Sequence, residues 1–235
     1  MSLYGMKKNS QLKKWVSKFG KEYTLRNNSQ KLSDFDNLYK KQFGFTRSFI
    51  NKKYIKYFKR NSRILEVGCN VGFQLDLLKK EKFKYLSGIE IQKNAIRIGN
   101  KKSPYIKFYN YSSDDLSFFS DESFDVICTT NFLIHLSKKN LMKTINEMSR
   151  LTSKYIWCME YYSVNRKEII YRGNKNLLWK DNFKKLFLKK NFEVVKSEKI
   201  IYTNPKEFGN VDEVFLLRKK KNDCIRTSKT RVKKN

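Results

Sequence analysis

The chain has 235 residues, 40% hydrophobic and 15% aromatic, enough for about one domain with a full core and too apolar for disorder throughout. Lys and Arg total 52 against 22 Asp and Glu, a formal net charge of +30 that invites an anionic partner such as nucleic acid. No window approaches a membrane span, the start is polar rather than signal-like, and Cys69, Cys128, Cys158 and Cys224 stand far apart without C-x-x-C pairing, so the reading is a cytoplasmic, metal-free protein with reduced thiols.

Residues 1–60 read as a polar, helix-rich lead-in that caps the remainder. From 61 to 218 strands and helices alternate. The apolar runs predict strands at 63–67, 85–89, 105–110, 124–129, 154–161, 192–202 and 211–217, and helical spacing predicts helices at 71–81, 92–101, 138–151 and 179–190. Alternation of this kind specifies an α/β, Rossmann-like fold: a seven-stranded, mostly parallel sheet with helices on both faces. The final two strands, broken by Asn204-Pro205 and Gly209, read as an antiparallel hairpin ending the sheet. Residues 219–235 read as a basic, disordered tail, solvated or able to touch RNA or another anionic surface.

The first strand, Ile64-Leu65-Glu66-Val67, carries one acid and breaks into Gly68-Cys69-Asn70-Val71-Gly72 before a helix. Glycine allows positive φ and close backbone approach to a ligand, and a helix start offers unpaired N–H groups. A nucleotide-like ligand belongs at such a turn. The spacing is not the G-x-G-x-x-G of dinucleotide binders. Glu90 ends the second strand about 20 residues later, the placement from which a carboxylate accepts both ribose hydroxyls. The ligand crevice lies outside the carboxyl ends of the strands, where Ile91, Tyr111 to Asp114, Thr130 to His135 and Glu160 to Tyr162 also fall.

This acid, glycine turn and second acid resemble the S-adenosylmethionine (SAM) site of the class I methyltransferases, and Phe124-Asp125-Val126-Ile127 is similar to their fourth strand. The resemblance implies SAM as cofactor, held by Glu66, Gly68, Cys69, Asn70, Gly72, Glu90, Ile91, Asn131 and Ser112, with Asp114 the other candidate for the adenine contact. Two further segments narrow it. Trp15 to Asn27 resembles the W-x-x-x-F-G-x-x-Y-x-x-R-N opening of the pseudaminic acid biosynthesis-associated methylases. Glu160-Tyr161-Tyr162, then Tyr171-Arg172-Gly173 and Lys180 to Phe183, look like that family's E-Y-Y, Y-R-G and K-x-D-F. Asn174 and Asn182 stand where the family has His and Asp. The resemblance implies methyl transfer to a sugar or nucleotide-sugar, at O or N, with Tyr23 and Arg26 folding over the cofactor.

Methyl transfer from a sulfonium is an in-line displacement, so most of the work is holding the acceptor close and aligned. A hydroxyl acceptor also gains from a base. His135 is the only histidine, and its ordinary pKa suits base work at neutral pH. With Glu160 and Tyr161 it forms the expected catalytic set. Tyr162, Tyr171, Arg172 and Lys180 form the expected acceptor site, the cations facing an anionic substrate. Two alternatives stand beside this reading: an RNA methyltransferase, prompted by the charge, and a SAM-fold protein that only binds a partner. Lysine far outnumbers arginine, whose planar fork suits phosphate better, which weighs against RNA.

Overall fold

The computed structural model describes residues 10–28 and 31–221. Four helices come first: α1 (Ser10–Val16), α2 (Lys18–Asn28), α3 (Leu32–Phe43) and α4 (Arg47–Ile55). Gly44, at φ +81°, ends α3, and the Thr46 hydroxyl accepts the Phe49 N–H at 3.1 Å to start α4. These two helices are part of the core rather than an appended cap. Ile50 and Tyr54 are fully buried, and removing one such isoleucine from water contributes about 1.5–3 kcal/mol. Residues of α1, α2 and α3 all line the ligand crevice, α3 through Phe35, Leu38, Tyr39 and Gln42.

The remainder runs β1 (Arg63–Val67), α5 (Phe73–Lys80), β2 (Tyr85–Ile89), α6 (Lys93–Lys102), β3 (Lys107–Tyr109), β4 (Phe124–Thr130), α7 (Lys138–Leu151) and β5 (Thr152–Tyr161). After these come β6 (Lys167–Glu168), β7 (Trp179–Lys180), α8 (Phe183–Leu188), β8 (Phe192–Ile201) and β9 (Val211–Lys219). The seven-stranded sheet has the order β3-β2-β1-β4-β5-β9-β8. Neighbours from β3 to β5 are parallel, and β9 is antiparallel to both β5 and β8. Chain order reverses direction between β1 and β4, which opens a crevice at their carboxyl ends.

Alternation along each strand divides the core in two. Ile64, Val126, Trp157 and Leu216 pack with α3, α4 and α5 on one face. Leu65, Ile127, Ile156 and Leu217 pack with α7 and α8 on the other. Buried on both sides, these strands read as continuous apolar runs, which is why their positions were legible.

Three expectations change. The helix expected over 179–190 is instead the short strand β7, paired with β6, followed by α8. The Asn182 side chain accepts the Lys185 N–H at 3.1 Å and so fixes the later start. The strand expected over 105–110 is confined to Lys107–Tyr109. The tail does not begin at 219: Lys219 ends β9 and its Nζ donates to the Thr152 carbonyl at 2.9 Å, while the Lys220 N–H donates to Asn191 at 3.0 Å. Residues 222–235, with Cys224 and the expected disordered arm, lie outside the described residues. Among the described residues no helix is long and apolar enough to cross a membrane.

Candidate active site

The glycine turn is stitched to the neighbouring strand. The Gly68 and Cys69 N–H groups both donate to the Ile89 carbonyl, at 2.8 and 3.0 Å. Gly68 (φ +75°), Asn70 (+48°) and Gly72 (+84°) all lie in the left-handed region, so the chain turns sharply before α5. A Cβ at Gly68 would stand 2.0 Å from the Phe132 ring, which lies directly on the turn. That contact, rather than access for a ligand, is the first reason for glycine here.

Glu90 is held in place by this turn. Its carboxylate accepts the Asn70 N–H at 3.0 Å and the Gln92 N–H at 2.9 Å. Burial raises its pKa and the backbone bonds oppose that shift. Each carboxylate oxygen keeps a lone pair for a ligand hydroxyl. Asn110, unremarked in the sequence, donates from Nδ2 to the Glu90 and Ile91 carbonyls at 2.8 and 2.9 Å and braces the loop from β3.

A cavity of about 500 Å³ opens above these residues. Glu66, Gly68, Cys69, Asn70, Glu90, Ile91, Ser112 and Asn131 all line it. Gly72 starts α5 just behind the wall. Glu66 Oε2, Asn70 Oδ1 and Asn131 Oδ1 are buried without a hydrogen-bond partner. Leaving a buried polar atom unpaired costs about 1–3 kcal/mol, so three on one wall mark a site shaped for a polar ligand. The Glu66 carboxyl is pushed up to about 8, first by burial and partly offset by Arg47. A ligand ammonium beside it would restore its charge. These donors and acceptors fit SAM: Glu90 would hold the ribose and Glu66 the amino group, with the turn backbone close against the near side. Ser112 donates to Asp114, so Asp114 is held behind the wall that Ser112 lines. The Cys69 thiol is buried and its pKa rises accordingly.

His135 sits in the helical turn Leu133–His135, buried among rings, with Trp15 centred 4.7 Å away, Tyr171 5.4 Å and Tyr23 6.0 Å. Its Nδ1 lies 2.8 Å from the Leu177 carbonyl, which can only accept, so Nδ1 carries the proton and Nε2 the lone pair. Burial takes its pKa down to about 4, and the Leu177 bond only partly opposes this. Base work from an ordinary histidine pKa, as expected from the sequence, therefore does not fit the site. His135 is neutral throughout the working range and is a weak base.

Glu160 does not face the cavity. Its carboxylate accepts the Thr129 hydroxyl at 2.7 Å and the Phe132 and Ile134 N–H groups at 3.2 and 3.4 Å. It fastens the loop that carries Phe132 and His135, and the expected contact with the acceptor is not available to it. Burial nevertheless pushes its pKa up to about 7. Tyr161, its neighbour on β5, points to the opposite face and does line the cavity. Tyr162 does not: it bridges to Asp181 and lies under Lys199, whose Nζ is 3.9 Å from its ring. Lys180 is also outside, its Nζ bonded to Asn210 and 5.6 Å from the Tyr161 ring. Tyr171 and Arg172 line the mouth, as do Tyr23 and Arg26 of α2. The Asn27 side chain lies outside the described residues.

Several contributors were missed. Gln11 of α1 donates to the His135 and Asn176 carbonyls at 2.8 and 3.1 Å and accepts the Ser137 N–H at 3.0 Å. Trp15, whose indole N–H is buried, accepts a bond from Gln92 through its carbonyl. Gly20 of α2 packs against that same Gln92, leaving no room for a side chain. These contacts seat the first two helices on the cofactor loop. Arg47 is buried beneath the cavity floor, donating to Gln74 at 3.0 Å and Thr130 at 3.0 Å. No local pattern marks Gln11 or Arg47, because their partners lie far along the chain, whereas Trp15 and Gly20 belong to the W-x-x-x-F-G segment.

Residues 64–154 match the methyltransferase domain family. No curated protein matches. Among solved structures, a SAM-dependent methyltransferase from Methanosarcina mazei is similar at 19% identity and TM-score 0.59, covering 70% of this chain and 95% of that one. The Burkholderia thailandensis 1,6-didemethyltoxoflavin-N1-methyltransferase, solved with 1,6-didemethyltoxoflavin and S-adenosylhomocysteine bound, is similar at 12% identity and TM-score 0.61, covering 87% and 91%. A chain of the Haloferax volcanii complex between the Trm112 methyltransferase activator and a methyltransferase aligns at 12% identity and TM-score 0.63, covering 86% and 96%. At these identities the structural likeness speaks for the fold.

Proposed function

We propose that this SAM-dependent methyltransferase moves the cofactor's methyl group onto a sugar or nucleotide-sugar that carries an anionic group, in a nonulosonic acid or surface-glycan pathway. The observation that carries the acceptor reading is Arg172. Its guanidinium lies at the cavity mouth beside the Tyr171 ring, in no ion pair among the described residues. An arginine outside any ion pair at the edge of an aromatic-walled pocket, with Arg26 at the same mouth, fits a ring with a carboxylate or phosphate on it. The similarity of Trp15 to Asn27 and of Glu160 to Lys180 to the pseudaminic acid-associated methylases supports the same class.

Bound SAM supplies a methyl group on a sulfonium, ready for displacement. The chain does the rest. Glu90, Glu66 and the Gly68–Gly72 turn fix the cofactor; Trp15, Tyr23 and Tyr171 wall the acceptor space around His135; Arg172 anchors the acceptor's anion. Neutral His135 offers Nε2 to orient the acceptor hydroxyl or amine, a contribution to alignment more than to proton storage. Helices α1 and α2, seated through Gln11 and Gln92, keep water from the reacting pair.

Incubation with methyl-labelled SAM and a panel of nucleotide-sugars, nonulosonic acids and RNA tests the reading. Label is expected on an anionic sugar, with Arg172→Ala raising KM and sparing kcat. Label on RNA alone would reverse the acceptor. The net charge of +30 favours that second reading, and it demands an activity that falls steeply with salt through counterion release.

A further inference from the structure

Beneath the cavity floor lies a buried cation without a counter-charge. Arg47 of α4 is 1% exposed, and its guanidinium donates only to neutral partners: Nε to Gln74 Oε1 at 3.0 Å, Nη2 to Thr130 Oγ1 at 3.0 Å, and Nη1 to the Met159 sulfur. The Tyr39 and Trp157 rings face it at 5.4 and 5.7 Å. Gln74 is pinned in turn by Asn51, one helical turn along α4, through two bonds of 3.1 Å. A buried cation held by neutral acceptors alone is costly, and apolar side chains would pack the same space as well. An anion bound nearby offsets that cost.

Thr130 carries the charge to the cavity. It ends β4 and lines the cavity wall. Its hydroxyl accepts from Arg47, so its own proton is turned away from the guanidinium, and among the described residues it donates to nothing. The result is a hydroxyl donor polarised by the cation behind it. Glu66 stands alongside. It pairs with Cys128 across β1 and β4, Thr130 lies two residues further along β4, and strand alternation points all three side chains to one face. Glu66 Oε2 is buried without a partner. An acid with a free oxygen beside a cation-backed donor complements a carbon that bears both an ammonium and a carboxylate.

We propose that Thr130, with Arg47 behind it, binds the carboxylate at the amino-acid end of SAM, next to the ammonium on Glu66. Thr130 touches the cofactor. Arg47 is a positioning residue: it orients the Thr130 hydroxyl and strengthens it as a donor. Arg172, at the mouth, is left to the acceptor's anion. The cofactor is thus read at both ends, its ribose by Glu90 and its zwitterion by Glu66 and Thr130.

The assignment rests on the SAM reading, and one experiment separates the two. The whole chain is titrated calorimetrically with S-adenosylhomocysteine and with its decarboxylated analogue, which keeps the adenosine and the amino group. The wild type is expected to bind S-adenosylhomocysteine about tenfold more tightly or better, the scale of a hydrogen bond to a charged group. Thr130→Val keeps the side chain's shape and removes the hydroxyl. It should weaken S-adenosylhomocysteine about tenfold or more and leave the analogue nearly unchanged, while Thr130→Ser restores the preference. Arg47→Lys should keep part of the preference and Arg47→Met should lose it. If Arg47→Met does not fold, the two Thr130 variants carry the test. Equal affinity of the wild type for both ligands overturns the assignment. So does a Thr130→Val protein that spares S-adenosylhomocysteine, or one that weakens both ligands alike, the mark of a purely structural hydroxyl. A wild type that binds neither ligand sinks the SAM reading itself.

Discussion

Gly68→Ala tests how the cofactor turn is built. Alanine at φ +75° carries a left-handed penalty of about 1–2 kcal/mol. Its Cβ would also lie 2.0 Å from the Phe132 ring, so the ring must move. Forcing an extra methyl into a packed site costs about 1–3 kcal/mol, giving a total near 2–5 kcal/mol. Phe132 is not free to yield, because its N–H is bound by Glu160 and it precedes the helical turn that carries His135. Strain at the turn therefore reaches both halves of the cavity. Thermal unfolding should show the destabilisation, and calorimetric titration should show SAM binding weakened at least about tenfold, or about 1.4 kcal/mol. Adding Phe132→Ala relieves the clash and leaves the backbone penalty, so the double variant should recover part of the loss. A Gly68→Ala protein with parental melting and parental SAM affinity would refute the packing argument.

Glu90→Ala should weaken SAM binding by about 1.5–3 kcal/mol in the same titration, the scale of hydrogen bonds to a charged group. His135→Ala should lower kcat/KM about tenfold through lost alignment, while the wild-type rate stays flat across neutral pH; a rise through pH about 6.5 would contradict the neutral imidazole. Glu66 titrates near 8 in the fold against 4.5 as its ordinary value, so the folded state holds the extra proton between these limits and loses stability as pH rises through them. Melting temperature should thus fall as pH rises from about 4.5 to about 8, and Glu66→Gln should flatten that fall; an unaltered slope would reject it. Deleting residues 222–235 should leave turnover on a small acceptor nearly intact, whereas a loss beyond about tenfold would favour RNA.

The strands and the glycine-turn wall of the cavity were legible because both depend on short stretches of chain. β1, β2 and the turn between β1 and α5 are set by local apolar runs and by positive-φ glycine, and Glu90 follows at a fixed distance. The acceptor half was read less well. Glu160 and Tyr161 are adjacent, yet strand alternation sends them to opposite faces, one into a structural bond set and the other into the cavity. Tyr162 and Lys180 were attractive as motif members, but the β6–β7 ribbon was not foreseen, and it turns them away. The Arg47–Thr130 pair and the contact of Gln11 with His135 join residues far apart in sequence, so periodicity carries no trace of them. His135 does line the cavity, but its weakness as a base depends on the rings that bury it, which come from distant segments.

The most direct measurement is a crystal structure with S-adenosylhomocysteine bound. The account predicts the ribose hydroxyls on Glu90, the amino group on Glu66 Oε2, and the sulfur facing an open acceptor space bounded by Tyr161, His135 and Tyr171. A cofactor whose ribose avoids Glu90, or whose sulfur points away from those three residues, would contradict it.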